Sequence, residues 1–132
     1  EAREVIDAAP DPGRPVYRRL RARAVAATEG PEAALEMLEE APPGLTANPE
    51  YHALMAALYQ RAGRHEKGVA TYRALLEQWP RQATWWVGAA ICLERLGRTG
   101  EAVEAYRRAV ASGRLDGRLL DYAKRRIDAL QG

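Results

Sequence analysis

For nucleophilic or metal chemistry the chain offers one serine, one cysteine and two histidines: Ser112, Cys92, His52 and His65. A triad or a Cys-His dyad would have to be assembled from these alone, with an orienting group added. Ser112 falls in a helix exit, and neither histidine has an evident partner in sequence. Neither lies at ligand spacing from another His or Cys, so no zinc site is expected. His52 recurs in a repeat core column and His65 opens a helix, so both are expected to be structural. Cys92 lies in an apolar helical stretch, where a buried, inert side chain is the default; being alone, it excludes an intrachain disulfide. Gly97-Arg98-Thr99-Gly100 follows no strand, so it reads as a turn and not a phosphate loop. The paired carboxylates Glu39-Glu40 fall on an outer helical face. These residues predict no catalytic centre, no metal and no cofactor: the chain is not expected to be an enzyme.

The elements that carry these residues are helices. Of 132 residues 47% are hydrophobic and 29% charged, a globular balance. Phe is absent, and Ala, Leu, Glu and Arg, all strong helix formers, dominate. The 20 basic and 18 acidic residues are interleaved and leave a formal charge of +2, which gives no polybasic path for a phosphate backbone. Nucleic acid is therefore not an expected partner. Arg18-Arg19-Leu20-Arg21 and Lys124-Arg125-Arg126 read as solvated helix faces. No apolar run approaches the roughly 20 residues that span a bilayer. The chain opens without Met in what reads as mid-helix, Glu1 to Ala9, as expected of a fragment from which an anchor or leader has been removed.

Sliding the sequence by 34 residues aligns units at 15–48, 49–82 and 83–116 without a gap. Tyr17, Tyr51 and Trp85 share a column, as do Ala22, Ala56 and Ala90, then Ala34, Gly68 and Ala102, then Leu38, Tyr72 and Tyr106. Gly63-Arg64 coincides with Gly97-Arg98. Each unit reads as two helices. In the second, Tyr51, Leu54, Met55, Leu58 and Tyr59 keep helical spacing, Gly63 suits a left-handed cap, and a partner helix from His65 to Trp79 stops at Pro80. The first unit is expected to form helices over Val16–Thr28 and Pro31–Ala41, with its turn glycine, Gly30, one residue late. A half unit at 1–14 and a closing helix within 117–132 complete a single domain over 1–132.

This pattern resembles the tetratricopeptide repeat, a 34-residue helix-turn-helix with a loose large-large-small signature. Its first Trp slot is filled here by Arg18, His52 and Trp86, its small slot by Gly68 and Ala102, its aromatic slot by Tyr72 and Tyr106, and its closing Pro by Pro80. The resemblance implies an all-α, right-handed superhelical solenoid that binds protein. A narrower likeness runs from Pro49 to Leu130. Leu58-Tyr59-Gln60-Arg61-Ala62-Gly63-Arg64-His65, Tyr72-Arg73-Ala74-Leu75-Leu76, Trp85-Trp86-Val87-Gly88, Glu104-Ala105-Tyr106-Arg107-Arg108-Ala109 and Ala111-Ser112-Gly113 resemble the C-terminal repeats of the MshN family. These are biogenesis proteins of the mannose-sensitive haemagglutinin (MSHA) pilus, a bacterial type IV pilus. That resemblance implies an inner-membrane protein with an N-terminal anchor, a linker and a periplasmic repeat domain. The cysteine count alone leaves a cytoplasmic location open.

In such a stack the first helix of each pair lines the concave side. The inward positions are then Val16, Arg19, Arg23, Ala26 and Ala27; Glu50, Ala53, Ala57, Gln60 and Arg61; and Thr84, Val87, Ile91, Glu94 and Arg95. Their small apolar centre and charged rim suit an extended peptide or an amphipathic helix. Trp79, beside Pro80, is a further candidate, either as an aromatic anchor for a partner or as a plug in the inter-repeat joint. Where chaperone-clamp repeats use Lys and Asn to grip a terminal carboxylate, Arg, Ala and Glu stand here. The expected function is a protein-interaction scaffold for a pilus or related secretion envelope machine. The alternative is a regulatory or substrate-recruiting module of a larger enzyme. Self-association through an end of the stack, giving a homo-oligomer, is a third expectation.

Overall fold

The computed structural model describes residues 14–132. Among these described residues, seven helices run in order: α1 (Pro15–Glu29), α2 (Pro31–Glu39), α3 (Pro49–Arg61), α4 (His65–Gln78), α5 (Ala83–Arg95), α6 (Thr99–Ala111) and α7 (Gly117–Gln131). No strand occurs among the described residues. The half unit expected at 1–14 lies outside them, apart from Arg14.

Local chemistry explains the boundaries. α1, α2 and α3 each begin with proline, whose missing amide hydrogen costs nothing at a helix start. The Asn48 side chain accepts the Tyr51 amide at 3.2 Å, and Asp116 accepts that of Leu119 at 2.9 Å, so α3 and α7 are capped. In the second and third units the turn is built alike. Gly63 (φ +79°) and Gly97 (φ +78°) take the left-handed conformation, and the next amides, of Arg64 and Arg98, reach back to the carbonyls of Tyr59 and Leu93. The first unit cannot copy this turn, because Pro31 directly follows Gly30 and has no amide hydrogen. Gly30 instead adopts φ 98° with ψ 168°, a region open only to glycine.

Consecutive helices pack as antiparallel neighbours, and one apolar core runs from Ala56 through Tyr72, Leu75, Ala90 and Tyr106 to Ala123. A smaller cluster, with Ala22, Leu35, Leu38, Tyr51 and Leu58, holds α1, α2 and α3 together. Two glycines set how closely α4 and α5 approach. A methyl group on Gly88 would stand 2.4 Å from Cζ of Tyr72, and one on Gly68 would stand 2.8 Å from Sγ of Cys92. The fully buried Cys92 occupies that gap, and burial pushes its thiol up to about 11. The small column of the repeat therefore records a close helix-helix approach. The fold is an all-α, tetratricopeptide-type solenoid.

Two expectations change. Arg18 is not on a solvated face: it is 8% exposed, donates to the carbonyls of Met37 (2.6 Å) and Ala41 (2.8 Å), and lies over the Tyr51 ring. A guanidinium carries enough donors to close the end of α2, whose last carbonyls have no partner in their own helix. The helix accordingly stops at Glu39, before Pro42 and Pro43, and not at Ala41. Trp86, expected as a core filler, is only partly buried. Its indole N–H donates to the carbonyl of Pro80 at 2.8 Å, and His52 in the same column has Nε2 2.7 Å from the carbonyl of Pro43. The column is kept by hydrogen bonding to the loop before each unit as much as by packing.

Candidate functional site

The first helices of adjacent units, α1 with α3 and α3 with α5, touch more closely than the second helices do, so they form the inner side of the curve. α5 shows how little of such a helix remains open. Ala83, Val87, Gly88, Ala89, Ala90, Cys92 and Leu93 are all buried. Besides the partly buried Trp85, Trp86 and Glu94, what stays accessible is a stripe at helical spacing made by Thr84, Ile91 and Arg95, with Trp86 on the opposite side. The matching stripe on α3 is Glu50, Ala57 and Arg61, and on α1 it is Val16, Arg23 and Ala27. Val16 is 42% exposed, and Ala57 and Ile91 are partly buried.

Two of the five expected inward columns behave differently. Val87 is 3% exposed and belongs to the apolar core, so it does not line an open groove. Glu94 accepts from the Tyr106 hydroxyl at 3.0 Å and is paired with Arg126 on α7. Burial raises its carboxyl, but the hydrogen bonds from Arg126 and Tyr106 outweigh this and hold it below the usual carboxylate range. Val87 and Glu94 lie a heptad apart on α5, and Glu94 is tied to α7 through Arg126. In the same columns Ala26 is buried, while Arg19, Ala53 and Gln60 are partly buried. Trp79 is partly buried, with its ring edge-on to Trp85 at 6.1 Å, at the joint between the second and third units.

Other residues were missed in the sequence. Arg64 pairs with Glu32 at 3.4 Å, and Arg98 pairs with Glu66 at 3.8 Å. These are the same two columns used one unit apart, so the repeat alignment held the signal. Arg98 and Arg73 also bind Glu101, at 2.8 and 2.5 Å, and lower its carboxyl in that order. The Tyr59 hydroxyl is raised to about 12 by burial and by the Glu39 carboxylate it donates to. Such exposed pairs fix the register of neighbouring units and add little stability. No group of three metal-ligating side chains occurs among the described residues, and no described helix is long and apolar enough to cross a membrane.

The geometry, a stack of helix pairs with an inner stripe, defines a helical-repeat interaction module. Residues 54–116 match the family described as Tetratricopeptide repeat. That span runs from α3 to the residue before α7. No curated protein matches the chain. The repeat supports a protein-protein interaction scaffold.

Proposed function

We propose that the chain is an assembly scaffold of a bacterial type IV, MSHA-like pilus or a related secretion envelope machine. It acts as the periplasmic domain of an inner-membrane protein, and its inner stripe binds a partner peptide or helix. One observation carries the binding part of this reading. On both α3 and α5 the inner stripe sets one partly buried apolar residue (Ala57, Ile91) beside one exposed arginine (Arg61, Arg95). An apolar contact flanked by a fixed cation selects a segment that alternates apolar and acidic side chains. The pilus assignment rests on the resemblance of Trp85-Trp86-Val87-Gly88 and Ala111-Ser112-Gly113 to the MshN repeats.

Affinity capture from the envelope fraction of the native host tests both parts. Wild-type chain should retain identified pilus-assembly proteins, and Ala57→Glu with Ile91→Glu should lose them while keeping its helical circular dichroism. Retention of unrelated proteins only would remove the pilus assignment. Equal retention by the double variant would remove the inner stripe.

A further inference from the structure

The side of α5 opposite the inner stripe carries Trp86. Its indole N–H is tied to Pro80, and the guanidinium of Arg108 lies 5.1 Å from the ring centroid, so ring and cation hold each other in place. A depression of about 450 Å³ opens beside them. Three guanidinium groups line it, those of Arg81, Arg108 and Arg114, with the Trp86 ring and Ser112, and no carboxylate does. Arg81 and Arg114 make no ion pair among the described residues, and the one pair of Arg108, with Glu104, is solvent-exposed. On the other side of the Trp86–Arg108 wall lies a second recess of about 440 Å³, lined by Leu76, Ala89, Leu93 and Ala105 together with Arg73, Glu101 and Glu104, whose carboxylates are already paired with arginines.

We propose that this outer face is a second binding site, for an acidic peptide segment whose carboxylates sit over Arg81, Arg108 and Arg114. An apolar side chain next to them would enter the recess behind Trp86. Charge complementarity argues for this occupant. Arg81 and Arg114 have no ion-pair partner among the described residues and Arg108 has only the exposed Glu104, and guanidinium forks bind carboxylates in pairs of parallel hydrogen bonds. The adjoining apolar recess favours a peptide over a bare anion, because it adds a contact only a side chain can fill. The site is independent of the inner stripe and does not rest on the pilus reading.

The probe is a fluorescein-labelled Leu-Glu-Glu-Glu peptide, titrated against the whole chain at low ionic strength and followed by anisotropy. Wild type should bind it saturably. Arg81→Glu with Arg114→Glu, both exposed positions, should weaken binding at least roughly ten-fold, as should replacing Glu by Gln in the peptide. Arg21→Glu with Arg125→Glu, two exposed charges that line neither site, should stay within about two-fold of wild type. Wild-type affinity in the Arg81/Arg114 variant, or equal binding of the Gln peptide, would overturn the proposal. So would concentration-dependent self-association, seen by sedimentation and lost in that variant. The occupant would then be a second copy, whose α1–α2 edge offers a recess lined by Glu29, Glu32 and Glu36.

Discussion

Ala53 with Gln60 on α3, and Val87 with Glu94 on α5, stand in the same two repeat columns and meet different fates. On α3 both side chains remain partly open; on α5 the first is core and the second is locked in a contact between three helices. α3 is succeeded by another repeat helix and carries small or neutral residues there. α5 is succeeded by α7, which closes the stack and brings Arg126 to Glu94. The same column is therefore partly open in one unit and closed in the next, whereas the central stripe stays accessible on every unit.

The sharpest way to break this comparison is the same substitution in both units. Val87→Glu should cost about 3 kcal/mol or more in denaturant unfolding, because an unpaired carboxylate would enter the core. Ala53→Glu should cost under about 1 kcal/mol, since its carboxylate can reach water. Similar costs would mean that the two flanks are not distinct.

Next in size are the close approaches that hold α5 in place. Gly88→Ala should cost ~1–3 kcal/mol as the Tyr72 ring is displaced. Gly100→Ala, where a methyl group meets nothing within 4 Å, should be neutral or stabilising by up to about 1 kcal/mol. Thermal melts of the two variants check this directly. Arg18→Met extends the comparison to the first unit. It keeps the bulk but strands the carbonyls of Met37 and Ala41, for a loss of about 1–3 kcal/mol, and the loss should appear as lowered hydrogen-exchange protection in α1 and α2.

A smaller effect concerns the lock between α5 and α7. Because Glu94 is held below its unfolded value, its contribution is fully present above about pH 4.3 and is lost as pH falls through the folded value. Arg126→Gln should remove part of the acid-induced drop in Tm below that pH and leave the melt unchanged in shape at neutral pH. An unaltered acid limb would show that the pair adds nothing to stability.

Much of this architecture was legible in the sequence. The 34-residue register, the glycines that end α3 and α5, and the small column at Gly68 and Ala102 all follow from local conformational needs that act within a unit. The misplaced residues are those whose role depends on another unit or a distant loop. Val87 reads as inward-facing because its spacing does not reveal that it joins the core shared by several helices. Arg18 sits in a run of arginines and looks solvated, because nothing within its own helix reveals the open carbonyls of α2. The Trp86–Arg108 wall joins residues from two helices, one of them pointing away from the side where a site was expected. For the proposed binding surface, the resemblance to the repeat family and the register named Ala57, Ile91, Arg61 and Arg95, which the structure leaves accessible, as well as Val87, which it buries.

The central claim is that the inner stripe is the primary binding surface, and the most direct measurement is a hydrogen-exchange footprint of the captured partner on the whole chain. The account predicts added protection in α1, α3 and α5, greatest around Ala57 and Ile91, with α2 and α4 unchanged. Protection confined to α4, α6 and the Pro80 loop, with the first helices unaffected, would contradict it.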